Sequence, residues 1–169
     1  MSDSGCSGSV VLKKWDSVQL GLYRPPMEYV SRLEGMGVMI ASSAREVLLK
    51  MQITSVVRTV ELFLGSAYDF GFTHRRQVEF GEIVIEAGRH GYSVCPAEVG
   101  PAVCIRYATN QSDIVEGLRV AMAPIMDSSD CPTIFGIEVG DALWLSASRG
   151  HSDSMYFVDA VWIWSRRKS

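Results

Sequence analysis

The segment Cys95-Pro96-Ala97-Glu98-Val99-Gly100-Pro101 constrains the path of the chain more than any other. Each of its two prolines fixes φ and removes a backbone donor, and the residue before each is driven towards extended geometry. Gly100 adds a position with no side chain. The segment reads as a shaped loop between two apolar stretches, carrying one thiol and one carboxylate.

A chain of 169 residues with 47% hydrophobic and 21% charged residues can bury one sizeable core, and residues 10–165 are expected to form a single domain. The first nine residues are small and polar and are expected to be disordered; they carry neither a basic start nor an apolar run. No stretch of 18 apolar residues occurs, so no membrane partner is expected and the expected location is the cytoplasm. The formal net charge of −3 argues against a nucleic-acid partner. Arg166-Arg167-Lys168 reads as a solvated tail. Four cysteines, Cys6, Cys95, Cys104 and Cys131, have no zinc-ligand spacing, so no metal and no cofactor is expected.

Residues 15–23 read as a strand, stopped by Pro25-Pro26. A proline in the first helical turn loses no partner, so residues 27–34 read as a helix ending at Gly35 and Gly37. Residues 38–41 read as a short strand. Ser43 and Glu46 have capping-box spacing ahead of a helix over 44–51 with Ala44, Val47, Leu48 and Met51 inward. Residues 53–64 are rich in β-branched side chains and read as a strand, and 65–72 as a loop. Residues 78–90 fit either period, but the early acids, Arg89-His90 and Gly91 favour a helix.

From Val103 onward the pattern is β. Strands are expected over 103–107, 117–125, 133–139, 142–147 and 155–164, separated by polar turns at 110–113, 127–130, 140–141 and 150–154. The fold class is therefore α+β: two or three helices on a mainly antiparallel sheet of about five to seven strands.

Glu98, in its rigid turn, can bind a ligand or accept backbone N–H groups to hold the turn. Cys95 lies beside it, but a catalytic thiol needs a base, and His90 sits at a helix end where an imidazolium favours the dipole. Arg106, with Tyr107 at the end of the expected strand, can pair with Glu98 or clamp an anion. Trp144 can roof a pocket. The ligand-site candidates are thus Cys95, Glu98, Arg106, Tyr107 and Trp144. Tyr156, Trp162 and Trp164 fall in one aromatic strand, which would form an interface if it lay at an edge and is core if it does not. Asp127-Ser-Ser-Asp130 lacks the glycine and distal Glu of a calcium loop and reads as a turn.

With Cys95–Pro101, Ile105-Arg106-Tyr107, Gln111, Ala121-Met122-Ala123-Pro124-Ile125, Asp127-Ser128 and Leu143-Trp144-Leu145 together, the sequence resembles a group of short bacterial proteins from environmental genomes and mobile elements, of the kind carried on integron gene cassettes. The resemblance covers residues 60–164. The group tends to carry Glu where this chain has Ala123, and Gly where it has Asp130. The resemblance implies an α+β fold and no particular activity.

No catalytic constellation occurs. The expected function is a non-catalytic homo-oligomer, most simply a homodimer, with a small-molecule pocket near the Cys95–Pro101 loop. The alternatives are an enzyme using Glu98 with Cys95 or Arg106, and a regulatory protein-binding module such as one partner of a toxin–antitoxin pair.

Overall fold

A computed structural model describes residues 10–111 and 114–166. The expected disordered start, Cys6, and Arg167 and Lys168 of the expected tail lie outside the described residues. Eleven strands and four α-helices follow in the order β1 (Lys14–Leu20), α1 (Pro26–Gly35), β2 (Met39–Ile40), α2 (Ser42–Lys50), β3 (Arg58–Ser66), β4 (Gln77–Glu79), α3 (Phe80–Arg89), β5 (Tyr92–Ser93), α4 (Val99–Thr109), β6 (Leu118–Val120), β7 (Ile125–Met126), β8 (Pro132–Val139), β9 (Leu143–Arg149), β10 (Met155–Phe157) and β11 (Val161–Arg166).

The α+β class stands, but the sheet is larger than expected and mixed. Seven strands run in the order β1-β3-β11-β6-β8-β9-β2, β5 joins β11 and β7 joins β8 to make nine, and β10 and β4 form a separate two-stranded ribbon. β6 lies parallel to β11, and β2 parallel to β9. Among the described strands only β7, β8 and β9 pair with their neighbours in sequence, as a short antiparallel meander. The other long strands pair across the chain, with β3 against β11 at Val161↔Ser66 to Trp164↔Phe63. Among the described residues no helix is long and apolar enough to cross a membrane.

β11 is the middle of the core. Trp162 and Trp164 face one side and Val161 and Ile163 the other, and Trp162, Ile163 and Trp164 are all 0% exposed. The proposed aromatic interface strand is therefore corrected: it is interior, and neither tryptophan can meet a partner. It also ends sooner than expected, because a turn closed by Ala160 N–H donating to the Phe157 carbonyl splits 155–164 into β10 and β11. Tyr156, on β10, packs edge-on against Trp162 with ring centroids 4.9 Å apart.

The two faces are covered differently. α1, α2 and α4 lie over the face that carries Leu118, Phe135, Ile137 and Leu145. α3 and the β4–β10 ribbon lie over part of the other face, where Phe80 stacks on Trp162 at 5.2 Å and Phe70 meets Trp164 edge-on at 5.6 Å. Within the expected helix over 78–90, residues 80–89 are helical as α3, with Phe80, Ile83 and Ala87 buried, while Val78 and Glu79 belong to β4.

Several elements depart from expectation for identifiable reasons. Residues 103–107 are not a strand but the body of α4. Val99, Ala102, Val103 and Tyr107 are buried at helical spacing, and Pro101 sits in the first turn, where its missing N–H costs nothing. Residues 53–57 are loop. The Thr54 N–H donates to Glu98, and the Thr54 carbonyl accepts from Arg24, so the backbone groups of Thr54 are taken by side chains and not by a ladder. Ser43 and Glu46 form no capping box; α2 starts at Ser42 after Ala41, and Glu46 accepts from the Ser128 N–H and hydroxyl instead.

Gly100 explains how closely α4 approaches the sheet. A Cβ there would lie 2.6 Å from the Phe135 ring, far inside contact distance. Gly100→Val is expected to destabilise the fold by about 1–3 kcal/mol through overpacking, measured by urea unfolding with an unchanged slope.

Candidate functional site

Glu98 sits at the start of α4, 0% exposed, where the helix dipole favours a negative charge. Its carboxylate takes three donors from three distant segments. The Gly21 N–H donates at 2.6 Å, the Thr54 N–H at 2.8 Å, and the Tyr29 hydroxyl makes a short bond to the same oxygen as Gly21. Burial and the neighbouring carboxylate push the Tyr29 phenol well above the ordinary tyrosine value, so it remains a donor. Gly21 is required here. Its φ is +86°, and a Cβ would meet the Thr54 carbonyl at 3.0 Å.

Arg106 does not pair with Glu98. It forms an ion pair with Asp16 on β1 and lies 5.7 Å from the Tyr107 ring centroid. The Tyr107 hydroxyl accepts from the Val115 N–H at 3.0 Å, and the Tyr107 ring meets the Trp15 ring edge-on. The Cys95 thiol is buried and donates weakly to the Ile163 carbonyl, while its N–H donates to Ala121 at 2.6 Å. Burial pushes that thiol far up, and the Ser165 hydroxyl offsets little of it, so no thiolate forms for attack. Cys104 is buried and raised in the same way.

The five ligand-site candidates are therefore not one cluster. Cys95 and Glu98 belong to the same turn but face different neighbours. Arg106 and Tyr107 bind elsewhere, and Trp144 lies on β9 opposite Met39 and Glu138. Trp144 lines neither cavity that reaches Cys95, so it does not roof the Cys-Pro segment.

Those two cavities are the open space beside the segment. One of about 860 Å³ is walled by Arg58–Glu61 of β3, Ser93–Pro96, and Ser165 and Arg166 of β11. The other, of about 650 Å³, runs from Lys50–Ser55 to Ala123–Ile125. Arg58, Cys95 and Pro96 line both, so the two join into one groove along the Cys-Pro turn. The groove carries the cations Lys50, Arg58 and Arg166. Its one acid, Glu61, is paired with Lys14 at 3.0 Å. On a chain of net charge −3 this is a local concentration of positive charge.

Sequence reasoning found the turn but missed Arg58, and it read Arg166 as part of a solvated tail, whereas Arg166 ends β11, lies over the Phe63 ring and lines the groove. The two arginines come together because β3 and β11 meet across the chain. The Asp127 turn behaves as expected. Its carboxylate accepts from the Cys131 and Ser129 N–H groups, which hold it below the usual carboxylate range. Among the described residues no three His, Cys, Asp or Glu side chains gather as a metal site would need.

No family model, curated protein or solved structure matches this chain.

Removing the Glu98 carboxylate leaves three buried donors without an acceptor. Glu98→Ala is expected to cost at least about 3 kcal/mol, and Glu98→Gln, which keeps one acceptor oxygen, about 1–3 kcal/mol. Thermal and chemical unfolding of both variants check this order; equal stability of Glu98→Ala and the native chain would contradict it.

Proposed function

We propose that this chain is a non-catalytic, cytoplasmic binding protein whose groove along Cys95–Pro96 takes an elongated anionic ligand. The observation that carries the reading is Arg58, which stands where the two cavities join. Arg166 lies in the wall of one cavity and Lys50 in the wall of the other. Guanidinium groups at such positions recognise carboxylate or phosphate oxygens in pairs. The two cavities follow one another along the Cys-Pro turn and their walls mix apolar surface with three cations, which suits an extended amphipathic anion better than a compact apolar ligand.

The non-catalytic reading is supported by what the turn's reactive groups already do. Glu98 spends its oxygens on Gly21, Tyr29 and Thr54, and the Cys95 thiol is buried and protonated. The cytoplasmic reading is supported by three unpaired cysteines, Cys95, Cys104 and Cys131.

A thermal-shift screen of small polyanions tests the groove, because a ligand that binds only the native state raises the midpoint. Arg58→Gln is expected to leave the unliganded midpoint unchanged and weaken a hit about 10–100-fold, the loss of one charge-assisted contact. A hit that Arg58→Gln and Arg166→Gln both leave intact would place the ligand elsewhere. A screen with no hit would move the groove's occupant towards an acidic protein segment, as for a regulatory partner.

A second copy of the chain is the other partner we propose, seated on the β4–β10 ribbon. Met155 and Phe157 point outward there, 48% and 57% exposed, while Tyr156 between them faces the core. Light scattering is then expected to give a mass above 18.6 kDa that falls to it in Phe157→Glu. A native chain that runs as a monomer would contradict this.

A further inference from the structure

The outer face of the sheet is covered only up to Tyr156, and the first side chain beyond that cover is Arg119. The register places Gly65, Trp162, Arg119, Gly136 and Ser146 in one row across β3, β11, β6, β8 and β9. Side chains paired across strands share a face. Glu138 and Trp144 form the next pair along β8 and β9, and Ile134 with Ser148 the pair on the other side.

Arg119 is half-buried. Its Nε is shielded from solvent and has no hydrogen-bond partner, and no carboxylate among the described residues pairs with it. Its guanidinium lies over the Tyr156 ring, 5.2 Å from the centroid. A shielded Nε with no partner is costly in a folded chain, and an anion on the guanidinium would supply that partner.

The surroundings select the kind of anion. Gly136, beside Arg119, has no side chain, and a Cβ there would lie 2.7 Å from the Ser146 hydroxyl and 4.0 Å from Glu138 Oε1, so both side chains reach over the glycine next to the arginine. Ser146 offers a hydroxyl donor on this face, while the Ser148 hydroxyl is taken by Tyr156. Trp144 and Met39, paired across β9 and β2, are 39% and 46% exposed and provide a flat apolar shelf next to it. Glu138 is the acid on this row's neighbour pair, and it excludes a second negative group from the shelf.

We propose that Arg119, Ser146 and Trp144 form a second binding site, for a small monoanionic aromatic carboxylate: the carboxylate sits on the Arg119 fork and the ring lies along Trp144. This site is on the sheet face opposite α1, α2 and α4, and it does not depend on the groove.

Benzoate is the probe. In a titration of the isotope-labelled full chain followed by NMR, saturable shifts are expected at the amides of Arg119, Ser146 and Ser148 and at the Trp144 indole, with acetate binding more weakly. Arg119→Gln is expected to weaken benzoate about 10–100-fold. Ser146→Glu tests the same site without removing the arginine. Its carboxylate can reach Arg119 across Gly136, so a raised thermal midpoint and loss of benzoate binding are expected. No saturable shift, unchanged benzoate affinity in either variant, or equal affinity for acetate and benzoate would overturn the proposal. So would a double-mutant cycle showing strong coupling between Arg119 and Glu138, which would make an internal ion pair the arginine's partner.

Discussion

The Glu98 carboxylate is the contact on which the helical side of this fold depends. Three stretches far apart in sequence, at Gly21, Tyr29 and Thr54, each direct a donor at it. None of the three lies in a strand ladder where the sheet could fix its position. A buried charge is tolerated only when its oxygens are filled, and here the filling is what orders the turn after β1, the start of α1 and the loop before β3. Because Glu98 opens α4, and α4 is pressed against Phe135 through Gly100, the same contact couples these loops to the sheet.

The opposite side is held by a different kind of interaction. β11 supplies Trp162 and Trp164 to an aromatic cluster with Phe80, Phe70 and Tyr156, beneath α3 and the ribbon. This packing is apolar and non-directional, and it ends abruptly at Arg119. The chain thus has one face completed by a polar hub and one left partly uncovered. The cationic groove lies where β11 leaves β3 to pair with β5, so its walls are a consequence of strand topology and not of any local motif.

What the sequence made legible follows from the range over which each signal acts. Pro26 at a helix start and Gly91 after Arg89 are local signals, and α1 and α3 lie where they indicate. Trp162 and Trp164 alternating with Val161 and Ile163 mark a strand buried on both faces, which β11 is. The misreadings are of two kinds. Val103 and Ile105 suggested a strand because β-branched residues favour one, yet tertiary packing of Val99, Ala102, Val103 and Tyr107 made a helix. Pairings such as β2 with β9 and β6 with β11 join residues about a hundred or tens of positions apart, and no turn chemistry announces them. The same limit applies to the site. Glu98 stood out for its proline-bounded turn, but its partners Gly21 and Thr54, and the groove's Arg58 and Arg166, are brought near only by the fold.

The most direct test of the account is native-state amide exchange at Gly21 and Thr54. Both are loop amides and would exchange freely if only water met them. If the Glu98 carboxylate holds them, both are strongly protected, exchange only through large-scale unfolding, and lose that protection together when Glu98 becomes Ala. Rapid exchange at either amide in the native chain would contradict the role given to Glu98.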